Sequence, residues 1–201
     1  MREQHLQEIW LIRHGETAWS AAGRYTGRTD IPLTETGRVQ AEALRKRLAD
    51  RSFPLVLTSP LMRAAETCRL AGYGGSAQAE ADLMEWDYGQ YEGRTTAGIR
   101  VEVPGWSLWA DNPAGGETLA QVAQRASNIV KTVKAAGSDA VIFAHAHLLR
   151  VLAACWLGLP PDGGRLLALA TASVSILGYE RETGVIVTWN DVSHLPAKDK
   201  K

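Results

Sequence analysis

The chain has 201 residues, 45% of them hydrophobic and 22% charged, the balance of a soluble globular protein in which residues 1–201 form one domain with a substantial core. Its 22 basic and 22 acidic residues cancel, which argues against nucleic acid or an anionic membrane as partner and leaves anion affinity to local clusters of arginine. Only Cys68 and Cys155 are present, so a disulfide framework is not expected, and with no leader-like apolar segment in residues 1–8 the expected location is the cytoplasm.

Residues 9–12, Ile-Trp-Leu-Ile, are an apolar run of strand length that stops where Arg13 and His14 begin. Both side chains are thereby placed at the carboxyl end of a strand, the edge at which open α/β sheets take their ligands. Gly15 allows a sharp turn or a close approach immediately afterwards. Residues 18–29, rich in Gly, Ser, Thr and Arg, read as a loop. Thr34 caps a helix reaching about Ala49, with Val39, Ala43, Leu44 and Leu48 at helical spacing. A second short strand spans 55–58. Ser59 as N-cap and Pro60 at the first helical position open the next helix, which carries Arg63 near its start.

Gly72 to Gly75 mark a turn, 78–83 is expected to be a short third strand, and the acidic, aromatic segment 84–93 a loop or lid. Helical pieces are expected over 95–101 and 106–111, then a break at 112–116. An amphipathic helix follows over 117–136, stopped by Gly137. Residues 140–144 are the most strand-like run in the chain and deliver His145 and His147. A buried helix is expected over 148–157, then an antiparallel hairpin of 174–179 with 185–189 at a sheet edge, and a frayed tail, 197–201. Strands alternating with helices, ending in a hairpin, predict a three-layer α/β/α sandwich with a mostly parallel sheet.

Three strand ends then converge on one crevice: Arg13 and His14 from the first, Arg63 beyond the second, His145 from the strand before the buried helix. Phosphoryl transfer needs an in-line nucleophile and fixed positive groups around the equatorial oxygens, and two arginines with two histidines meet that need without a metal or other cofactor. One carboxylate can protonate the leaving alkoxide and later activate water. A zinc site on His145 and His147 would lack a third ligand.

Arg13-His14-Gly15-Glu16-Thr17 resembles the signature of the histidine phosphatase, or phosphoglycerate mutase-like, superfamily. Leu83-Met84-Glu85 followed by Gly89-Gln90-Tyr91-Glu92-Gly93 resembles its acidic segment. The stretch 85–93, with Trp19-Ser20 and 25–30, is similar to branch 1 members of the acid phosphatase and sedoheptulose bisphosphatase kind, and the similarity runs from Leu11 to about Trp189. It implies that His14 becomes phosphohistidine, that Glu85 is the general acid and base, that Arg13, Arg63 and His145 hold the phosphoryl group, and that Ser20 and Thr26 line the pocket. Glu16 is read either as an orienting group or as a salt-bridge partner; Arg24 and Arg28 reach a second phosphate or a sugar acid, or are simply solvated.

The chain departs from the family pattern at Ala146, where a glycine usually follows the second histidine, and at Ser20, where many relatives carry asparagine. A positive φ at Ala146 would be strained. His147 would share a face with His145 if the strand continued. The short stretch between the Glu85 segment and His145 favours an open, hydrolytic site. The expected activity is therefore a metal-independent phosphatase for a small phosphorylated metabolite such as a sugar phosphate, as a monomer or a homodimer. The alternatives are a mutase-type phosphotransferase and a non-catalytic phosphate-binding module.

Overall fold

The computed structural model describes residues 6–196; positions 1–5, with His5, and the tail expected to fray, 197–201, lie outside the described residues. Six strands form one mixed sheet in the order β3-β2-β4-β1-β5-β6. They are β1 (Ile9–Arg13), β2 (Leu55–Thr58), β3 (Gln78–Ala79), β4 (Ala140–Ala144), β5 (Val174–Glu180) and β6 (Thr183–Asp191). The run β3-β2-β4-β1 is parallel, and β5 and β6 close one side antiparallel.

Alternation along the strands assigns the two faces. Ile9 and Leu11 of β1, with Ile142 of β4, join a core that includes Val122, Ile129 and Leu152. Trp10 and Ile12, with Phe143, join a second core that includes Leu44, Leu48 and Cys68. Helices α5 (Leu119–Ala136) and α6 (Ala146–Trp156) therefore cover one face, and α2 (Glu35–Arg47) and α3 (Met62–Leu70) the other. This is the α/β layering expected of the sequence. All five residues of β4 are buried, as a central parallel strand covered on both sides must be.

Local chemistry sets the element ends. Thr34 caps α2 by accepting from the Gly37 amide, and Thr118 caps α5 reciprocally with Gln121; Gly137, at φ 62°, ends α5 in the left-handed conformation. Several boundaries differ from expectation. A four-residue helix, α1 (Ala18–Ala21), stands in the expected loop, closed by a capping box between Thr17 and Ser20. The third strand is two residues long, and Ala81–Leu83 turn as a 3₁₀ segment instead. The helix α3 begins at Met62 with Leu61 as N-cap; Ser59 Oγ accepts from the Leu61 amide at 3.3 Å and Asp30 Oδ1 from the Met62 amide at 2.8 Å.

The segment 95–101 does form a helix, α4 (Thr96–Glu102), but 106–111 makes turns. The edge hairpin is as expected, with β6 beginning at Thr183. Among the described residues no helix is long and apolar enough to cross a membrane.

Candidate active site

The carboxyl end of β1 fixes His14 through its backbone. Its amide donates to the Ala144 carbonyl at the end of β4 (3.0 Å), and its own carbonyl accepts from the Ala172 amide just before β5 (3.0 Å). The imidazole Nδ1 lies 2.7 Å from the Gly15 carbonyl oxygen. A carbonyl only accepts, so Nδ1 carries the hydrogen, and in the neutral ring Nε2 holds the lone pair. Burial, reinforced by the charges of Arg63 and Arg13, pushes the His14 pKa well below the ordinary imidazole value against the opposing pull of the Gly15 carbonyl. The ring is thus neutral, with a defined tautomer and its lone pair on Nε2.

Its loop is held by close backbone packing. The Gly15 amide donates to the Thr67 hydroxyl on α3 (3.1 Å), which itself donates to the Arg63 carbonyl. A Cβ on Gly15 would collide with the Gly37 carbonyl, and one on Gly37 with the Glu16 backbone. The Glu16 carboxylate accepts from the Thr34 hydroxyl at 2.8 Å, a cap-bracing contact in place of an ion pair.

Arg13 Nη1 donates to the Leu169 carbonyl at 2.5 Å, while its buried Nε has no partner among the described residues. A buried cationic donor left open beside a cavity is a ready anion contact, since leaving it unpaired is costly. Arg63 and His145 are less accessible than His14. Both are fully buried, and neither is among the residues that line the cavity at His14. Arg63 donates to the carbonyls of Thr26, Gly27 and Thr29 and, through Nε, to His145 Nδ1 at 3.2 Å.

An arginine cannot accept, so His145 Nδ1 is the acceptor and its Nε2 carries the hydrogen, which meets Ser59 Oγ at 2.8 Å. Burial first, then Arg63 and His14, hold the His145 pKa well below the ordinary value. The two imidazoles, 5.2 Å apart between centroids, thus adopt opposite tautomers.

Glu85 arrives from the lid segment and is nearly buried. Its Oε1 accepts from the Trp86 and Leu148 amides and its Oε2 from the His147 amide, at 2.9 to 3.1 Å. Two of these donors belong to the first turn of α6, the end of a helix that favours negative charge. Because Oε1 takes two of these bonds and Oε2 one, Oε2 keeps the freer lone pair. Behind it Arg125 donates to the carbonyls of Asp82 and Met84 and pairs with Glu117 at 2.8 Å. Glu117 also receives Arg28 and the Asp87 amide. Glu92 ties the two loops by accepting from the Arg28 and Thr29 amides at 2.6 and 2.8 Å.

A cavity of about 280 Å³ joins these parts, lined by Arg13, His14, Ser20, Thr26 and Glu85. Sequence reasoning placed all five there. It also lined the cavity with less than the structure does, for Tyr25, Tyr88 and His147 face it too. His147 lies in the first turn of α6, not on a continuing strand. Its Nδ1 lies 2.7 Å from the Tyr88 hydroxyl oxygen, and both groups are neutral because burial raises the Tyr88 pKa well above the ordinary value and lowers that of His147 well below it. The aromatic, glycine-punctuated character of 84–93 was the available signal. Ala146 takes a helical conformation and is not among the residues of positive φ, so the strain that its methyl group threatened does not arise. Among the described residues no group of three or more His, Cys, Asp or Glu side chains is arranged to hold a metal ion.

A nucleophile-ready histidine at a strand end, an arginine beside it and a carboxylate on a helix terminus define a class, and the chain belongs to it: residues 9–192 match the model of the histidine phosphatase superfamily (branch 1). Within that family it is similar to an acid phosphatase of Mycobacterium tuberculosis, 41% identical with 86% of each chain covered. It is also similar to the sedoheptulose 1,7-bisphosphatase of Saccharomyces cerevisiae, 35% identical over 74% of this chain and 67% of that one. The solved structure of a Mycobacterium tuberculosis open-reading-frame product superimposes with a TM-score of 0.87 at 38% identity, covering 92% of this chain and 97% of the other.

Proposed function

We propose that the chain hydrolyses a small phosphomonoester, of the sugar phosphate kind, through a phosphohistidine on His14. The observation that carries the reading is the His14 tautomer. Nδ1–H is bound to Gly15, Nε2 makes no hydrogen bond among the described residues, and the ring faces a cavity shared with Glu85 and the unpartnered Arg13 Nε. Nε2 attacks phosphorus in line; the P–O bond to the alcohol breaks, and the leaving oxygen takes its proton from Glu85 Oε2. The imidazolium so formed keeps its Nδ1–H on the Gly15 carbonyl. Glu85, now a carboxylate, takes a proton from water as that water attacks phosphorus. The P–N bond breaks, phosphate leaves, and His14 and Glu85 return to their starting states.

Arg13 meets the equatorial oxygens directly, while Arg63 adds its charge from behind the imidazoles and His145 holds its fork in place. Ser20 and Thr26 form the wall. The related acid phosphatase and sedoheptulose 1,7-bisphosphatase support hydrolysis of phosphorylated metabolites, and the two thiols, with Cys68 buried and its pKa pushed up to about 12, suit the cytoplasm.

Rapid acid-free quenching of the enzyme with a labelled phosphomonoester should trap a base-stable, acid-labile phosphoenzyme that vanishes in His14→Ala. Label on another residue, or hydrolysis persisting in that variant, overturns the assignment. Formation of an isomeric phosphate ester without phosphate release would instead identify a mutase.

A further inference from the structure

Around the cavity, almost every cation is already matched. Arg28 pairs with Glu117, Arg94 with Glu102, and Arg125 with Glu117. Arg63 is spent on loop carbonyls, and Arg150 donates to Gly164 and Arg165 carbonyls while stacking on Trp109. Apart from Arg13, whose open Nε faces the transferred phosphoryl group, Arg24 is the exception. It lines the cavity at its exposed rim, and among the described residues it forms no ion pair. Its backbone is firmly held, the amide donating to the Trp19 carbonyl at 2.9 Å and the residue bridging to Thr95. Its guanidinium is pinned once, through Nη1 to the Gly93 carbonyl at 3.2 Å, which steadies the group and leaves the far edge of its fork open.

The charges in the cavity then set a requirement. The cationic side chains facing it are Arg13 and Arg24, because burial keeps His14 and His147 neutral. A phosphate dianion at His14 engages Arg13, with Arg63 behind it. Arg24 is left facing the part of the substrate that projects toward the mouth, past Tyr25 and Thr96, whose hydroxyls bond each other at 3.0 Å. At that mouth the planar cationic fork of Arg24 suits a carboxylate or phosphate.

We propose that Arg24 is a second anion-binding point, and that the substrates this enzyme favours carry a second anionic group, a carboxylate or a second phosphate, beyond the phosphoryl group that is transferred. The inference rests on the hydrolytic reading above.

The test compares kcat/KM for 3-phosphoglycerate and glycerol 3-phosphate, which share a three-carbon phosphorylated skeleton and differ in the carboxylate. Fructose 1,6-bisphosphate against fructose 6-phosphate separates a phosphate from a carboxylate as the second anion. In at least one pair, the wild-type enzyme should favour the doubly anionic member, and Arg24→Gln should reduce that preference about tenfold, mainly through KM. Arg24→Lys should retain part of it, and added salt should weaken it in the wild type alone, as expected of an exposed charge contact. No preference for a second anion in either pair, or a preference that Arg24→Gln leaves within about twofold, overturns the proposal while leaving hydrolysis intact. Absence of phosphate release from all four compounds and from para-nitrophenyl phosphate would overturn the hydrolytic reading itself and this inference with it.

Discussion

The site has a floor and a wall, and they are built by different means. The floor is the strand-end layer of His14, His145 and Arg63. Its backbone groups continue the sheet, as in the His14 and Ala144 pairing, and Arg63 and His145 are entirely buried. The wall is made of the segments that carry Glu85, Tyr88, Thr26 and Arg24, where little regular structure exists and the chain is held by side chains bound to backbone. Arg125 reaches the Asp82 and Met84 carbonyls, Glu117 the Asp87 amide, and Glu92 two amides of the loop opposite. The floor therefore fixes the His14 tautomer. In the mechanism proposed above, the wall decides where the proton donor stands and what the rest of the substrate meets.

The sharpest way to break this division is at the floor. His14→Ala should lower kcat by on the order of 10⁴-fold or more for every substrate, regardless of leaving group; a smaller loss measured by steady-state phosphate release would remove the nucleophile from the floor. Glu85→Gln should cost on the order of 10²- to 10⁴-fold with alkyl phosphates, but much less with para-nitrophenyl phosphate, whose leaving group needs no proton. Equal losses on the two would mean that Glu85 does not serve as the acid.

Next comes the bridge between the regions. Arg63→Met leaves three loop carbonyls and His145 Nδ1 without their donor, and should lower unfolding free energy by about 3 kcal/mol in urea titration. Glu117→Gln, which loosens only the wall, should cost about 1 to 2 kcal/mol and lower kcat about tenfold for alkyl phosphates, again sparing para-nitrophenyl phosphate. If Glu117→Gln slowed both substrates alike, the wall would be shaping more than the acid.

The smallest effect concerns pH. Burial, with nearby arginines, depresses the pKa of His14, His145 and His147 in the folded state, so below the unfolded value of about 6.5 the unfolded chain binds more protons. Stability contributed by keeping these rings neutral is present above about pH 6.5 and is lost as pH falls below it, by about 0.7 kcal/mol per histidine between pH 7 and 6. Urea midpoints measured across that interval should fall on acidification; a rise would contradict the neutral floor.

The same contrast governs what the sequence discloses. The floor is carried by apolar runs that end in polar residues, so β1, β4 and the edge hairpin, with His14 and His145 at their ends, are legible from strand periodicity. The wall depends on contacts between residues far apart in sequence. The carbonyl partners of Arg63, 34 to 37 positions earlier, leave no mark in the local sequence. The helix α1 escapes because it buries no side chain and exists through a cap. Residues 106–111 look helical by composition, yet the Ser107 amide is taken by the Asp111 carboxylate in a turn. Tyr88 lies in the segment read as a loop or lid, yet it is only 2% exposed and reaches His147.

The facing glycines at 15 and 37 carry a lesson for anyone grafting this centre onto another scaffold. Gly15 leaves room for the Gly37 carbonyl and Gly37 for the Glu16 backbone, so the loop after His14 and the start of α2 are sterically interlocked. A scaffold that carried a side chain at either position would set its methyl group against bare peptide next to the imidazole's own loop.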